Sequence, residues 1–349
     1  MASLTQISII TRKSIRYSLY GIIGIIVARA IILTGIKIYR YYFPEPPPAP
    51  TVAFGKLPTL PFPDQSRPEG ITFTLETPEG SLPKLSEQAK VFFMPKVSTQ
   101  LLSLDTAKQK VALLGFSAEG AEVTETVYKF THPKSPAELQ ISIVSGVFSI
   151  SYNLNTDPSP LEKRPVAPEV AASKIRSFLS AADVLPKDLT GTIKSEYVKV
   201  QDQKIVSAIS FSDANFVKVN FFRKDYDKLP SLTSDPNKGN VWFIVSGMDQ
   251  KERMIMAAEY HYFSVDETNF STYPTKTAQE AWNELSKGGG YIASLGDNKE
   301  GQNIKIRRVY LAYYDSGVAM DFYQPIVVFE GDRSFVAYVP AVTSDYYGD

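Results

Sequence analysis

The chain has 349 residues and no cysteine, which excludes disulfides, thiolate chemistry and zinc–cysteine sites. Basic and acidic residues number 37 each, but six basic and no acidic ones lie in the first 43 positions, leaving 31 basic against 37 acidic beyond them. That net of −6 excludes a nucleic-acid footprint, which needs a basic face.

Residues 1–16 are a short N-terminal segment carrying Arg12, Lys13 and Arg16. Tyr17 to Ile36 follow as twenty residues that are apolar except for the charge of Arg29. At 1.5 Å per residue such a helix spans about 30 Å, one hydrocarbon core. Arg29 stands where signal-peptide cleavage needs small uncharged residues, so an uncleaved signal anchor is expected. Three basic side chains and the amino terminus precede the run, and Lys37 and Arg40 follow it. This bias predicts a cytoplasmic N-terminus and an extracytoplasmic remainder at the cell membrane. Arg29 either snorkels toward the outer headgroups past Ile36 or pairs with an acid on a partner helix. Tyr39, Tyr41, Tyr42 and Phe43 form an aromatic belt.

Residues 37–70 read as an aromatic and proline-rich extended linker. Phe43 to Pro50 (FPEPPPAP) is a semi-rigid polyproline spacer, and Phe54 to Pro63 continues extended. Residues 71–160 are expected as a first α+β unit. Ile71 to Thr77 alternates at period two, and Lys90 to Pro95 is a second strand. A helix capped by Ser103 or Asp105 carries Ala107, Val111, Leu113 and Leu114 and stops at Gly115. VTETVYKF around Tyr128 is one strand, and Leu139–Val144 and Val147–Asn153 pair across Ser145-Gly146.

Residues 161–265 repeat the plan. Pro168 opens an amphipathic helix reaching Pro186, with Val170, Ile175, Phe178, Leu179 and Ala182 inward. Strands follow at 193–200, 204–211, 216–222, 241–247 and 253–263. Residues 266–349 repeat it again. Thr277 and Glu280 form a capping box, Ala278, Ala281, Trp282 and Leu285 make the stripe, and Gly288-Gly289-Gly290 ends the helix. Strands follow at 304–314, 323–331 and 335–342. The expected fold class is α+β: one N-terminal transmembrane helix, then three units of a helix against an antiparallel sheet.

The last unit, TAQEAWNELSKG, IKIRRVYLAYYDS and YQPIVVFEGDRSFVAYVPA, resembles the closing segment of the YycH/YycI regulators of sensor kinases. More broadly it is similar to PepSY-type domains. Ala281, Tyr313, Tyr314, Pro325 and Phe329 stand at the positions that carry the resemblance. Val327-Val328-Phe329 replaces the tryptophan usual in that family's Pro-strand. The resemblance covers about 70 residues, and the family's layout of one membrane helix and an exported α+β part covers the rest. It implies no catalysis and regulation of a membrane partner, in part through the membrane helix.

Catalytic and ligating constellations are sparse. Glu259 and His261 point to one face of a strand, with Asp266 beyond, so a two-ligand metal clip is open against a solvated strand face. His132, before Pro133, reads as a loop residue. The triple glycine follows a helix, whereas phosphate sites need a helix N-terminus. Neither HExxH nor GxSxG occurs. Asp225 and Asp227 could pair, but Arg223, Lys224 and Lys228 mark an exposed charged turn. Asn269-Phe270-Ser271 is a formal sequon, meaningful only in a eukaryotic secretory route.

Tyr313, Tyr314, Tyr323 and Tyr338 gather in the last sheet. They are either packing residues or an aromatic surface for a protein partner. The function expected is a non-catalytic, membrane-anchored regulator or scaffold with a membrane or envelope protein partner. No catalytic residue, cofactor, metal, nucleic acid or small-molecule substrate is expected. The alternatives are an envelope protease inhibitor or cell-wall-associated enzyme, and a surface structural or adhesion module. A cleft lined by carboxylates or histidine favours the enzyme; a flat aromatic sheet face favours the binding module.

Overall fold

The computed structural model describes residues 4–42, 48–65, 68–95 and 104–348. Phe43 to Pro47 of the spacer and Ser103, one of the two expected helix caps, lie outside the described residues. Residues up to 49 and from 50 onward form two units.

The first unit is the helix α1 (Leu4–Tyr42), longer at both ends than the expected span. Within it Arg16–Tyr39 is long and apolar enough to cross a membrane. Its apolar side chains are exposed all round. A helix apolar on every side has no one face to bury against a protein core, which is the pattern of a lipid-facing segment.

In the second unit, β1 (Thr72–Leu75), β2 (Gln88–Phe93) and α2 (Leu104–Leu113) come first. Two hairpins follow: β3 (Gly120–Thr124) with β4 (Val127–Thr131), and β5 (Ala137–Ser142) with β6 (Phe148–Tyr152). After α3 (Pro168–Ala181) come β7 (Ile193–Gln201), β8 (Lys204–Ser207), β9 (Phe216–Phe221), β10 (Ser231–Thr233), β11 (Val241–Val245), β12 (Ile255–Tyr260) and β13 (Asp266–Pro274). Next is α4 (Ala278–Ser286). Then come β14 (Tyr291–Ser294), β15 (Asn303–Asp315), β16 (Phe322–Tyr323), β17 (Pro325–Gly331) and β18 (Phe335–Pro340).

The class is mixed α+β, dominated by sheet. The strands form three sheets that cut across the boundaries expected near 160 and 265. A nine-stranded antiparallel sheet runs β3-β4-β5-β6-β12-β11-β9-β7-β8 and so joins strands of the first two expected units. A six-stranded sheet runs β1-β15-β17-β18-β14, with β10 also on β15. Both β1 and β10 pair with β15 in parallel, so this sheet is mixed, not antiparallel throughout. β13, β2 and β16 make the third sheet. Long-range pairing to the 13-residue β15 draws early and middle segments into the sheet of the last, which local periodicity does not encode.

The nine-stranded sheet is apolar on one face. Phe130, Leu139, Ile150, Ala258, Phe243 and Val219 are successive cross-strand partners and all are buried. α3 packs on this face, its Phe178 ring edge-on to Phe243 at 6.3 Å. The opposite face is polar, with Lys218 over Trp242 and Lys129 paired to Glu138. Two stripe assignments shift: Leu113 and Val170 point outward, and Ala171 and Ala172 take inner places. VTETVYKF is not one strand, since β3 and β4 turn between Thr124 and Val127.

α4 has the expected capping box, and Ala278, Ala281 and Leu285 bury against the six-stranded sheet. The opposite face of that sheet is covered by the stretch expected to be linker. Leu57 and Leu60 are buried, and Phe62 stacks on Tyr291 at 5.0 Å. Prolines remove donors but leave carbonyls. Gln324 Nε2 donates to Pro58 O at 2.9 Å, and Tyr314 Oη donates to Pro61 O at 3.5 Å. An extended segment with few main-chain hydrogen bonds of its own, such as Gly55 N–H to Val52 O and Phe62 N–H to Leu60 O, is thereby held as a structural strap. Leu60→Ala should destabilise the protein by about 2–5 kcal/mol in urea unfolding. Val123→Ala, at an exposed edge position, should change stability by less than about 0.5 kcal/mol.

Candidate functional site

Two features stand out in the second unit: a buried ionic cluster where the three sheets meet, and a groove on the apolar face of the nine-stranded sheet. The cluster is built on Arg223, just after β9, whose side chain is 1% exposed. Its Nη1 donates to Asp188 Oδ2 at 2.5 Å and its Nη2 to Phe263 O at 2.5 Å. Its Nε lies 3.1 Å from Asp315 Oδ2, at the end of β15. Tyr226 and Tyr262 each donate to Asp188, at 2.6 and 2.7 Å. The guanidinium sits 4.4 Å from the Tyr262 ring centre and 5.7 Å from that of Tyr323 in β16.

Burial pushes the Asp188 carboxyl up, but Arg223 and the two phenol donors outweigh it, so the net shift is downward. Arg223 itself is raised well above its usual range: burial opposes the charge, and Asp315, Tyr323 and Asp188 favour it more. Arg223 is therefore a permanent internal cation and not part of an exposed charged turn. Only the tip of that turn is exposed, and Asp227 there pairs with Lys90 at 3.0 Å, not with Asp225.

Tyr313, Tyr314, Tyr323 and Tyr338, expected as a partner surface, are fully buried. Tyr313 stacks on Tyr323 at 5.3 Å and Tyr226 meets Tyr323 edge-on. Tyr313 Oη donates to Lys90 O, which ties the six-stranded sheet to the three-stranded one, and Tyr338 Oη donates to Thr233 O within the six-stranded sheet. Burial raises all four phenols, so they stay neutral. They are interior pillars, because β10, the strap and the three-stranded sheet cover the faces that the isolated hairpin leaves open.

The groove lies between α2 and α3 and encloses about 580 Å³. Its floor is Leu114, Phe116, Ala137, Ile150, Met254 and Ile255, all buried. Ser173, Ser177 and Ala181, spaced by four on α3, form one wall, and exposed Leu113 stands at the lip. Lys174, Asp249, Lys251 and Glu252 also line it. His132 contributes its ring: Nδ1 accepts the Lys134 N–H at 3.1 Å, and the ring meets Phe116 edge-on at 5.4 Å. Burial lowers the His132 pKa, with the nearby Glu252 charge opposing, so the imidazole is held neutral at pH 7.

Glu259 and His261 do come together, with His261 Nε2 2.9 Å from Glu259 Oε2, but half-exposed. Asp266 is engaged with Thr268. Among the described residues, no group of three or more His, Cys, Asp or Glu side chains is placed to hold a metal ion. Gly288 and Gly290 take positive φ where α4 ends, and a Cβ on Gly290 would lie 2.6 Å from Tyr338 O. Arg29 lies within α1 with its side chain exposed. The sequence reading missed the groove, although the Ser173–Ser177–Ala181 spacing beside an apolar stripe was a signal for it. It also missed Arg223, whose place directly after the apolar run 216–222 was the available cue.

Removing Arg223 strands Asp188 among apolar and aromatic groups. Arg223→Ala should cost about 3–5 kcal/mol, measured by urea unfolding, and adding Asp188→Asn should recover part of that loss. Asp188 has a depressed native pKa, so its contribution is present above the unfolded carboxyl value of about 4 and is lost as pH falls through the native one. Asp188→Asn should flatten the acid limb of stability below about pH 4 relative to wild type.

No protein-family model and no curated protein matches this chain. Solved structures that overlap it include an uncharacterized protein from Eubacterium rectale, at 12% identity, covering 75% of this chain and 84% of that one with a TM-score of 0.36. The C-terminal domain of Bacillus megaterium YpeB overlaps at 13% identity, covering 71% and 94% with a TM-score of 0.31. Neither overlap is close enough to assign a shared fold or function.

Proposed function

We propose that the chain is a single-pass, membrane-anchored binding protein without catalytic activity. Its N-terminus is cytoplasmic, and the unit from residue 50 recognises a membrane or envelope protein partner in a regulatory or scaffolding role. The groove between α2 and α3 carries this reading. It is of ligand size, has an apolar floor, and is ringed by a few polar groups, as binding sites generally are. The anchor supports it too, since a tethered domain meets membrane-bound partners at high effective concentration. The YycH/YycI and PepSY resemblance of the last 70 residues points the same way.

A second reading, an envelope enzyme acting on peptide or cell-wall substrates, is favoured by the shared lining of His132 and Glu252. It is weakened by the use of His132 Nδ1 as an acceptor of a main-chain N–H, and by the pairing of Asp249 with Lys163 at 2.5 Å. Arg29 offers a separate contact, to an acidic group on a partner's membrane helix.

The test is crosslinking and pull-down of the full chain from its native membrane, in wild type, with α1 replaced by an unrelated apolar helix, and as Ser177→Trp. Ser177 is exposed on α3 and faces the groove, so Trp there fills the site while leaving the core alone. Loss of the partner in Ser177→Trp, with retention in the helix replacement, is the expected result. Loss only on helix replacement moves recognition to α1 and makes Arg29→Leu the next variant. Retention of the partner in both overturns the proposal.

A further inference from the structure

The polar groups around the groove are unequal in sign, and that inequality selects a class of ligand. Among the described residues, Lys251 has no ion-pair partner, and Lys174 makes no close ion pair, with a 3.5 Å contact to Met248 O and a longer-range attraction to Asp249. Asp249 is already neutralised by Lys163, which leaves Glu252 as the one acidic group at the mouth without an ion pair. Two ammonium groups against one carboxylate make the mouth cationic, on a chain that is net acidic beyond its first 43 residues.

A neutral donor adds to this. Because His132 Nδ1 accepts the Lys134 N–H, the neutral ring carries its proton on Nε2. A Cβ at Gly115, where φ is +92, would lie 3.6 Å from that nitrogen. Glycine makes the turn after α2 at that position, and the His132 ring lines the groove beside it. Ser173 and Ser177 supply hydroxyls on the facing wall. The floor, by contrast, is wholly apolar.

From this arrangement we propose that the groove binds an apolar carboxylate: a hydrophobic body on the floor between α2 and α3, with its carboxylate at the mouth against Lys174, Lys251 and the Nε2–H of His132. A free acyl or aryl acid and the C-terminal end of a peptide with an apolar last residue present this same chemistry. The proposal rests on the groove being the binding site.

The test is titration of the full chain in lipid nanodiscs, followed by the methyl NMR signal of Met254 in the groove lining. The probes are 4-phenylbutanoate with 4-phenylbutanol as its neutral counterpart, and acetyl-Ala-Ala-Phe as free acid and as amide. Both acids should saturate the signal, and each neutral counterpart should bind about ten-fold more weakly or worse, about 1.4 kcal/mol. Lys174→Glu and Lys251→Glu should each weaken the acids by about that factor, and Ser177→Trp should abolish binding. A tighter peptide acid identifies a chain terminus as the natural source, and a tighter phenylbutanoate a free acid. Equal affinity of acid and neutral probe, or unchanged affinity in Ser177→Trp, overturns the proposal. Failure of every probe also overturns it; partner loss in the Ser177→Trp pull-down would then still stand as separate support for the groove as a protein-binding site.

Discussion

Arg223 is a cation that cannot be discharged, and it is placed where three sheets converge. Charge in such an interior is tolerated only if it is matched on every side. Asp188 leads into the nine-stranded sheet, Asp315 ends the longest strand of the six-stranded sheet, and Tyr323 belongs to the three-stranded one. Asp188 in turn needs Tyr226 and Tyr262 to fill its remaining lone pairs. The relative placement of the sheets is thus tied at one point by hydrogen bonds to Asp188 and Phe263 O, by the Asp315 charge and by the Tyr323 ring, where apolar packing alone would permit sliding. The stacked Tyr313 and Tyr323 beside it add apolar area without adding charge.

With the sheets fixed, the nine-stranded sheet can be one-sided. Its solvent face carries lysines, glutamates and serines at alternate positions, and its inner face accepts α3 and α2. Two helices do not cover nine strands. α2 has only ten residues, and α3 turns small side chains toward it. The uncovered strip between them is the groove. Its shape follows from short helices on a broad sheet, and its chemistry from the loops after β4 and β11, which bring His132, Asp249, Lys251 and Glu252 to the mouth.

The strap from residue 50 to 62 is the other consequence of tertiary context. Its prolines forbid both helix and regular strand pairing, so the segment is stable only on a surface that supplies donors to its carbonyls and room for its leucines. Gln324 and Tyr314 supply donors to its carbonyls, and Tyr347 Oη accepts the Leu60 N–H at 2.8 Å.

Much was legible without a structure wherever the information is local. The run Tyr17–Ile36, apolar except for Arg29, forms a long helix. Thr277 and Glu280 cap α4 because their side chains reach main-chain groups three residues away. Period-two alternation located most of the strands. The same residues could not say which strands would pair, because pairing joins positions more than two hundred residues apart, as in β1 with β15 and β2 with β16. For that reason four tyrosines that look like a surface in their own hairpins are interior, and an arginine in a charged run is buried. The groove belongs to no single segment: its floor, walls and mouth come from α2, α3 and six separate strands or loops. Sequence determined the elements and the long apolar helix; only the long-range packing, set by complementary burial and by one cation that must be neutralised, decided which side chains face water and therefore which can bind.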